Sequence, residues 1–233
     1  MKQVLITGAN RGVGLELTRQ LLARGDRVIA TCRQPALAQT LQQWVAQFGD
    51  QLLNVALDVT DDTSVEAART VAESAVDHLD MIINNAGILI KTEILSTFEA
   101  AVMQRTLDVN VVGVMRVTTQ FLDLLRWGGE PKLINISSQL GSLQKMRPNW
   151  GRYSYNSSKA ALNMVTRMLA FDLEEEGIAV MAVHPGWVQT DMGGPHAAVK
   201  PHNSAAGILR LADQLTLNNT GMFLVYSGEE HPW

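Results

Sequence analysis

Seven short apolar runs, separated by longer segments of helical period, constrain this chain more than any other feature. The runs fall at 4–6, 28–30, 52–57, 81–83, 133–136, 178–183 and 222–225, and several are rich in Val or Ile. Such runs suit strands buried on both faces, as parallel strands are. Between them, Val13, Leu17 and Leu21 recur at four-residue steps, and Gly25 follows where a helix-ending glycine belongs. Asp61 and Asp62 precede Val65 and suit the positive end of a helix starting there. Residues 99–127 read as one long helix, and 154–176 as another closed by Gly177. Alternation of this kind through 233 residues predicts right-handed βαβ units: one α/β domain over 1–233, a doubly wound Rossmann fold with seven parallel strands flanked by helices. Ligands of such sheets bind beyond the carboxyl ends of the strands.

Composition removes several function classes. Charged residues make up 18%, the net charge is −4 and no basic run occurs, so no nucleic-acid footprint is expected. A single cysteine, Cys32, allows no intramolecular disulfide and suits a reducing compartment. The first apolar stretch is interrupted at Gly8, too early for a signal-peptide core, and no stretch approaches the roughly 20 apolar residues of a membrane span. The expectation is a cytoplasmic protein with no membrane partner. The histidines have no metal-ligand spacing, so no metal is expected.

The first apolar run leads into Thr7-Gly8-Ala9-Asn10-Arg11-Gly12-Val13-Gly14. A glycine-rich turn opening a helix lets the backbone approach a pyrophosphate, with N–H donors and a positive dipole end facing it. The spacing is G-x-x-x-G-x-G, and the candidate cradle is Gly8, Asn10, Arg11, Gly12, Val13 and Gly14. An acidic residue at the end of the second strand often binds the ribose diol. Here that strand ends in Arg33. Arg33 can fork onto a 2′-phosphate with Arg11 beside it, which predicts NADP(H).

Tyr155 and Lys159 stand at i and i+4 at the start of the second long helix and share its face. A neighbouring ammonium lowers a phenol's pKa and fits it for proton transfer. Tyr153 lacks that spacing to Lys159. In order, the glycine loop, Asn84-Asn85-Ala86-Gly87, Asn110, Ser137-Ser138, Tyr-x-x-x-Lys and Pro185-Gly186-Trp187-Val188-Gln189-Thr190 resemble the short-chain dehydrogenase/reductase family over most of the chain. Thr190-Asp191-Met192-Gly193-Gly194 and the ending Gly228-Glu229-Glu230-His231-Pro232-Trp233 are similar to its C-factor and sniffer-like, carbonyl-reductase-related branch.

The resemblance implies roles. Tyr155 is the acid/base, and Lys159 lowers its pKa and holds the nicotinamide ribose. Ser138, preferred over Ser137 by the family's spacing, holds the substrate oxygen. Asn110 anchors a proton-return water. Asp58 and Val59 take the adenine, Asn85, Ala86 and Gly87 line the adenosine-ribose side, and Pro185, Gly186, Val188 and Thr190 hold the nicotinamide amide. Substrate loops are expected near 139–154 and 190–203, the latter an irregular lid. Leu140, Leu143, Met146, Trp150, Trp187 and Met192, with Trp233 as a further candidate, are expected to form an apolar pocket. The activity implied is NADP(H)-dependent interconversion of an aldehyde or ketone with its alcohol. The competing reading is a dinucleotide-binding signalling protein of the C-factor kind with little turnover. A homo-oligomer, dimer before tetramer, is expected through the two long helices.

Overall fold

The computed structural model describes residues 1–90, 93–147 and 151–233. Seven strands form one wholly parallel sheet: β1 (Gln3–Thr7), β2 (Arg27–Cys32), β3 (Leu52–Ala56), β4 (Met81–Asn84), β5 (Lys132–Ile136), β6 (Ala179–His184) and β7 (Met222–Val225). Their order across the sheet is β3-β2-β1-β4-β5-β6-β7. The chain reverses its direction of winding between β1 and β4, so the crevice of a doubly wound sheet opens there. All seven predicted runs are strands.

Alternation within single strands distributes the core. On β1, Val4 and Ile6 face one apolar layer while Leu5 faces the other. The first layer is closed by α1 (Gly12–Ala23), α2 (Gln39–Phe48) and α7 (Pro201–Gln214). The second is closed by α3 (Asp62–Glu73), α5 (Gly113–Arg126) and α6 (Tyr153–Asp172), and α4 (Ala100–Leu107) packs outside it on α6.

Helix ends follow local chemistry. The Asp61 carboxylate accepts from the Thr63 and Ser64 N–H groups and starts α3. Pro201 occupies the first position of α7, where its missing N–H costs nothing. The single long helix expected over 99–127 is α4 and α5 joined by a π-helical turn, Asp108–Val112. This wider turn carries Asn110, and π turns of this kind occur often at functional sites. The second long helix ends at Asp172, and turns lead on to Gly177, whose φ is +76°.

The expected loops are trimmed as well. Residues 153 and 154 belong to α6, and 201–203 are the first turn of α7. Between them, 187–199 is irregular but hydrogen-bonded onto itself. Val199 N–H donates to the Trp187 carbonyl, Gln189 N–H to that of Val199, and the Trp187 indole N–H to that of Gly193. Trp150 lies outside the described residues.

Candidate active site

The strand ends gather the predicted residues at the crevice. The α1 N-terminus receives no side-chain cap and has no acidic residue in its first turn, so its N–H groups are free to meet an anion. Two glycines there are needed for space. A Cβ on Gly14 would lie 2.4 Å from the Gly8 carbonyl oxygen and 2.5 Å from the Asn85 amide nitrogen. Gly12, at φ +57°, faces Thr190. The Asn85 side chain, expected to line the ribose side, turns instead to the glycine loop and donates to the carbonyls of Thr7 and Gly8. The Thr7 hydroxyl accepts from the N–H groups of Asn85 and Ala86. Val13 packs its side chain on the core, so only its backbone belongs to the cradle. Asn10 is exposed.

Arg11 is exposed and reaches Asp191 at 3.4 Å, tying the glycine loop to the segment after Thr190. Arg33 is exposed at the end of β2. Burial would raise the Asp58 pKa, but hydrogen bonds from Thr60 and the charges of Arg33 and Arg116 hold it below the ordinary value. Arg116, which sequence reading passed over, donates to the Val59 carbonyl and the Asp62 carboxylate, fastening this loop to α5. Beyond β6, Gly186 has φ +85°, and a Cβ there would meet the Tyr226 ring at 2.9 Å. Val188 is buried and Pro185 half-buried.

Tyr155, Lys159 and Ser138 are buried together beyond β5. Ser138 lies close enough to the Tyr155 hydroxyl to draw its pKa down against the effect of burial. Ser137, next door, points the other way and donates to the Asn163 carboxamide at 2.5 Å. Alternation along extended backbone separates the two serines. Lys159 donates to the Ile136 carbonyl at 2.8 Å, with its nitrogen 5.8 Å from the Tyr155 ring centroid. Asn110 is clamped on the backbone of Ile88, accepting from its N–H and donating to its carbonyl, and also donates to Ser158. Gly87 leaves room here: a Cβ would sit 3.3 Å from the Asn110 oxygen and 3.8 Å from the Lys159 nitrogen. Tyr153 is 44% exposed, outside this cluster.

Electrostatics correct one expectation. The Tyr155 phenol is pushed up by burial, only partly offset by Ser138 and the Arg152 charge, so it is not lowered as the Tyr-Lys spacing suggested. Burial also pushes the Lys159 ammonium down to about 8. Desolvation favours the neutral form of both groups.

The start of α6 is held by residues the sequence did not mark. Its N-cap, Arg152, is a left-handed residue (φ +55°) with no side-chain cap. The buried Glu93 carboxylate accepts instead from the Ser154 N–H and hydroxyl, and the Glu93 carbonyl accepts from the Arg152 N–H. Behind the site a buried polar ladder crosses the sheet: Asn84 donates to Thr118 and Asn135, and Asn135 donates to Thr166.

The apolar residues expected around a substrate are less enclosed. Leu140 is half-buried, while Leu143, Met146, Trp187 and Met192 are exposed. Trp233 packs on Phe223 and Arg167, and its carbonyl accepts from Ser142 and Gln144. A cavity of about 230 Å³ between α7 and β7 shares no residue with the site. Among the described residues no His, Cys, Asp and Glu group is arranged to hold a metal ion, and no helix is long and apolar enough to cross a membrane.

A family model for short chain dehydrogenase matches residues 2–200. C-signal of Myxococcus xanthus is 42% identical over 155 residues, 66% of this chain and 93% of that protein. The NADPH-bound carbonyl reductase from chicken fatty liver is 35% identical, with TM-score 0.94 over 100% of this chain and 94% of the other. The carbonyl reductase Sniffer of D. melanogaster is 30% identical, with TM-score 0.95 over the whole of both chains.

Proposed function

The chain belongs to the short-chain dehydrogenase family, and from that premise we propose that it is an NADP(H)-dependent oxidoreductase interconverting a carbonyl compound and its alcohol, with Tyr155 as acid/base. One observation carries the reading: Tyr155, Ser138 and Lys159 are buried together, with Lys159 one helical turn beyond Tyr155 and close to Gly87. The cradle fits a dinucleotide, since the α1 N-terminus is uncapped and Gly14 is too crowded for any side chain. Arg33 and Arg11 supply positive charge for a 2′-phosphate, consistent with the NADPH in the chicken carbonyl reductase. When bound, the dinucleotide supplies or accepts the hydride.

In the reducing direction Tyr155 must begin as the neutral phenol and give its proton to the oxygen that gains charge. A pKa raised by burial keeps that proton in place beforehand. The phenolate left behind faces the Ser138 hydroxyl and the positive charge of Arg152, with Lys159 charged below about pH 8. Ser138, half-committed to the Leu140 N–H at 3.2 Å, retains its own proton to hold the substrate oxygen. Asn110 and Gly87 keep the space beside Lys159 open for proton return. The segments 139–147 and 187–199 supply the substrate side, and a second copy of the chain covers Met164, Met168 and Phe171, which are exposed on α6.

The likeness to C-signal favours a second reading, a dinucleotide-binding signalling protein with little turnover. One assay separates the two. NADPH oxidation is followed against aldehydes, ketones and quinones, with NADH and Tyr155→Phe in parallel. We expect turnover with NADPH, weaker turnover with NADH, and a loss on the order of 10²- to 10⁴-fold in Tyr155→Phe. NADPH binding without turnover favours the signalling reading.

A further inference from the structure

Arg152 is the one non-glycine residue with positive φ among the described residues, at φ +55° and ψ +46°. That conformation is costly for a side chain with a Cβ, and such outliers cluster where function holds them. The surroundings enforce it. Gly151 before it also has positive φ and passes so close to the Glu93 carbonyl that a Cβ would lie 2.7 Å away. The Arg152 N–H donates to that carbonyl at 2.8 Å.

Among the described residues the guanidinium has no counter-charge. Arg152 forms no ion pair among the described residues, and its Nε is buried without a hydrogen-bond partner. The Glu93 carboxylate is engaged by the Ser154 N–H and hydroxyl. One turn on, Asn156 is 94% buried, donates to the Gly151 carbonyl and leaves its Oδ1 unpartnered as well. A buried donor of a permanently charged group, left unmade, costs more than an ordinary missed hydrogen bond. Its natural complement is an anion with two oxygens in a plane. Arg152 stands three residues before Tyr155, and its charge acts on the Tyr155 hydroxyl.

We infer that Arg152 is a specificity-determining residue that binds a carboxylate of the substrate, so the preferred carbonyl compounds are oxo acids whose carboxylate lies within a few bonds of the reacting carbonyl. This rests on the reading of Tyr155 as the acid/base, since that places the carbonyl. Arg152 then sets the orientation of the substrate. The Asn156 oxygen accepts from a donor on the same ligand or from an ordered water.

The test uses phenylglyoxylate and its methyl ester, which share a carbonyl and a ring and differ in charge. Their equilibrium binding to the NADPH-loaded protein is measured for the natural chain, Arg152→Gly, Arg152→Lys and Tyr155→Phe, with turnover in parallel. Glycine accepts the left-handed backbone without strain, so Arg152→Gly removes the cation while keeping the fold, checked by circular dichroism and thermal midpoint. The acid should bind on the order of 10- to 100-fold more tightly than the ester. Arg152→Gly should abolish that preference, Arg152→Lys retain part of it, and Tyr155→Phe leave it intact while stopping turnover. Equal binding of acid and ester, or a preference that survives Arg152→Gly, overturns the inference. An Arg152-dependent preference with no turnover of any carbonyl overturns the oxidoreductase reading and leaves an anion site at Arg152.

Discussion

At the residue scale, Lys159 is the site group whose protonation burial changes within an accessible pH range. Its pKa of about 8 lies below the usual 10.5 because burial disfavours the ammonium, and among the described residues it donates to a neutral carbonyl rather than to a carboxylate. Protonated below about pH 8 and neutral above, it supports reduction only below about pH 8. We expect kcat/KM for carbonyl reduction to fall as pH rises through about 8, and Lys159→Met to lose that limb at a much lower overall rate. A pH–rate profile in which the variant keeps the limb would assign it to another group. The same shift has a stability consequence. Between about pH 8 and 10.5 the unfolded chain still holds the proton that the folded chain has released, so stability rises with pH across that window. Thermal midpoints of Lys159→Met should lack the rise.

At the element scale, α6 carries Tyr155 and Lys159, and polar side chains from several elements fix its register. The ladder Asn84–Asn135–Thr166 joins β4 and β5 to α6, and Asn163 accepts from Ser137 at the end of β5. Asn135→Leu leaves the Asn84 amide with Thr118 as its remaining partner inside an apolar layer. The cost of such an orphaned group is about 1–3 kcal/mol, or several degrees in Tm for a domain of this size. Urea unfolding should show that loss with an unchanged m value. No loss would mean that the buried amides are no better partnered than water would make them. The sequence marked the ends of this network as motif residues but not its links. Asn84 belonged to a loop motif, and in the structure it is part of β4. Asn135 and Thr166 carried no periodic signal, because a polar residue inside an apolar run is interpretable only once its partner across the sheet is known.

At the scale of the whole molecule, the outer face of α6 is apolar where water meets it. Met164, Met168 and Phe171 are 64%, 56% and 63% exposed and recur at helical spacing. A contiguous apolar stripe on an otherwise charged surface marks a partner face, and self-association is the commonest way to bury one. We expect light scattering after size exclusion to give a dimer, and Met164→Glu with Met168→Glu to give a folded monomer. A monomeric natural chain at micromolar concentration would remove this reading of α6 and leave the site intact, since Tyr155 faces the other way, buried in the protomer.

What the sequence determined by itself was set by short-range geometry. Seven strands, the glycine turn before α1, the Asp61 cap and the four-residue step from Tyr155 to Lys159 follow from backbone period and local hydrogen bonding, which neighbours in sequence dictate. Only the tertiary structure decided how the polar groups are partnered and how strongly they are desolvated. Glu93 caps α6 through Ser154, 61 residues away. Asn85 donates to the Thr7 and Gly8 carbonyls of the glycine loop, and Arg152 has no counter-charge among the described residues. Burial raises Tyr155, against the direction that its spacing to Lys159 suggested, and lowers Lys159. A pKa depends on the dielectric and the charges around a group in space, and folding alone brings those together.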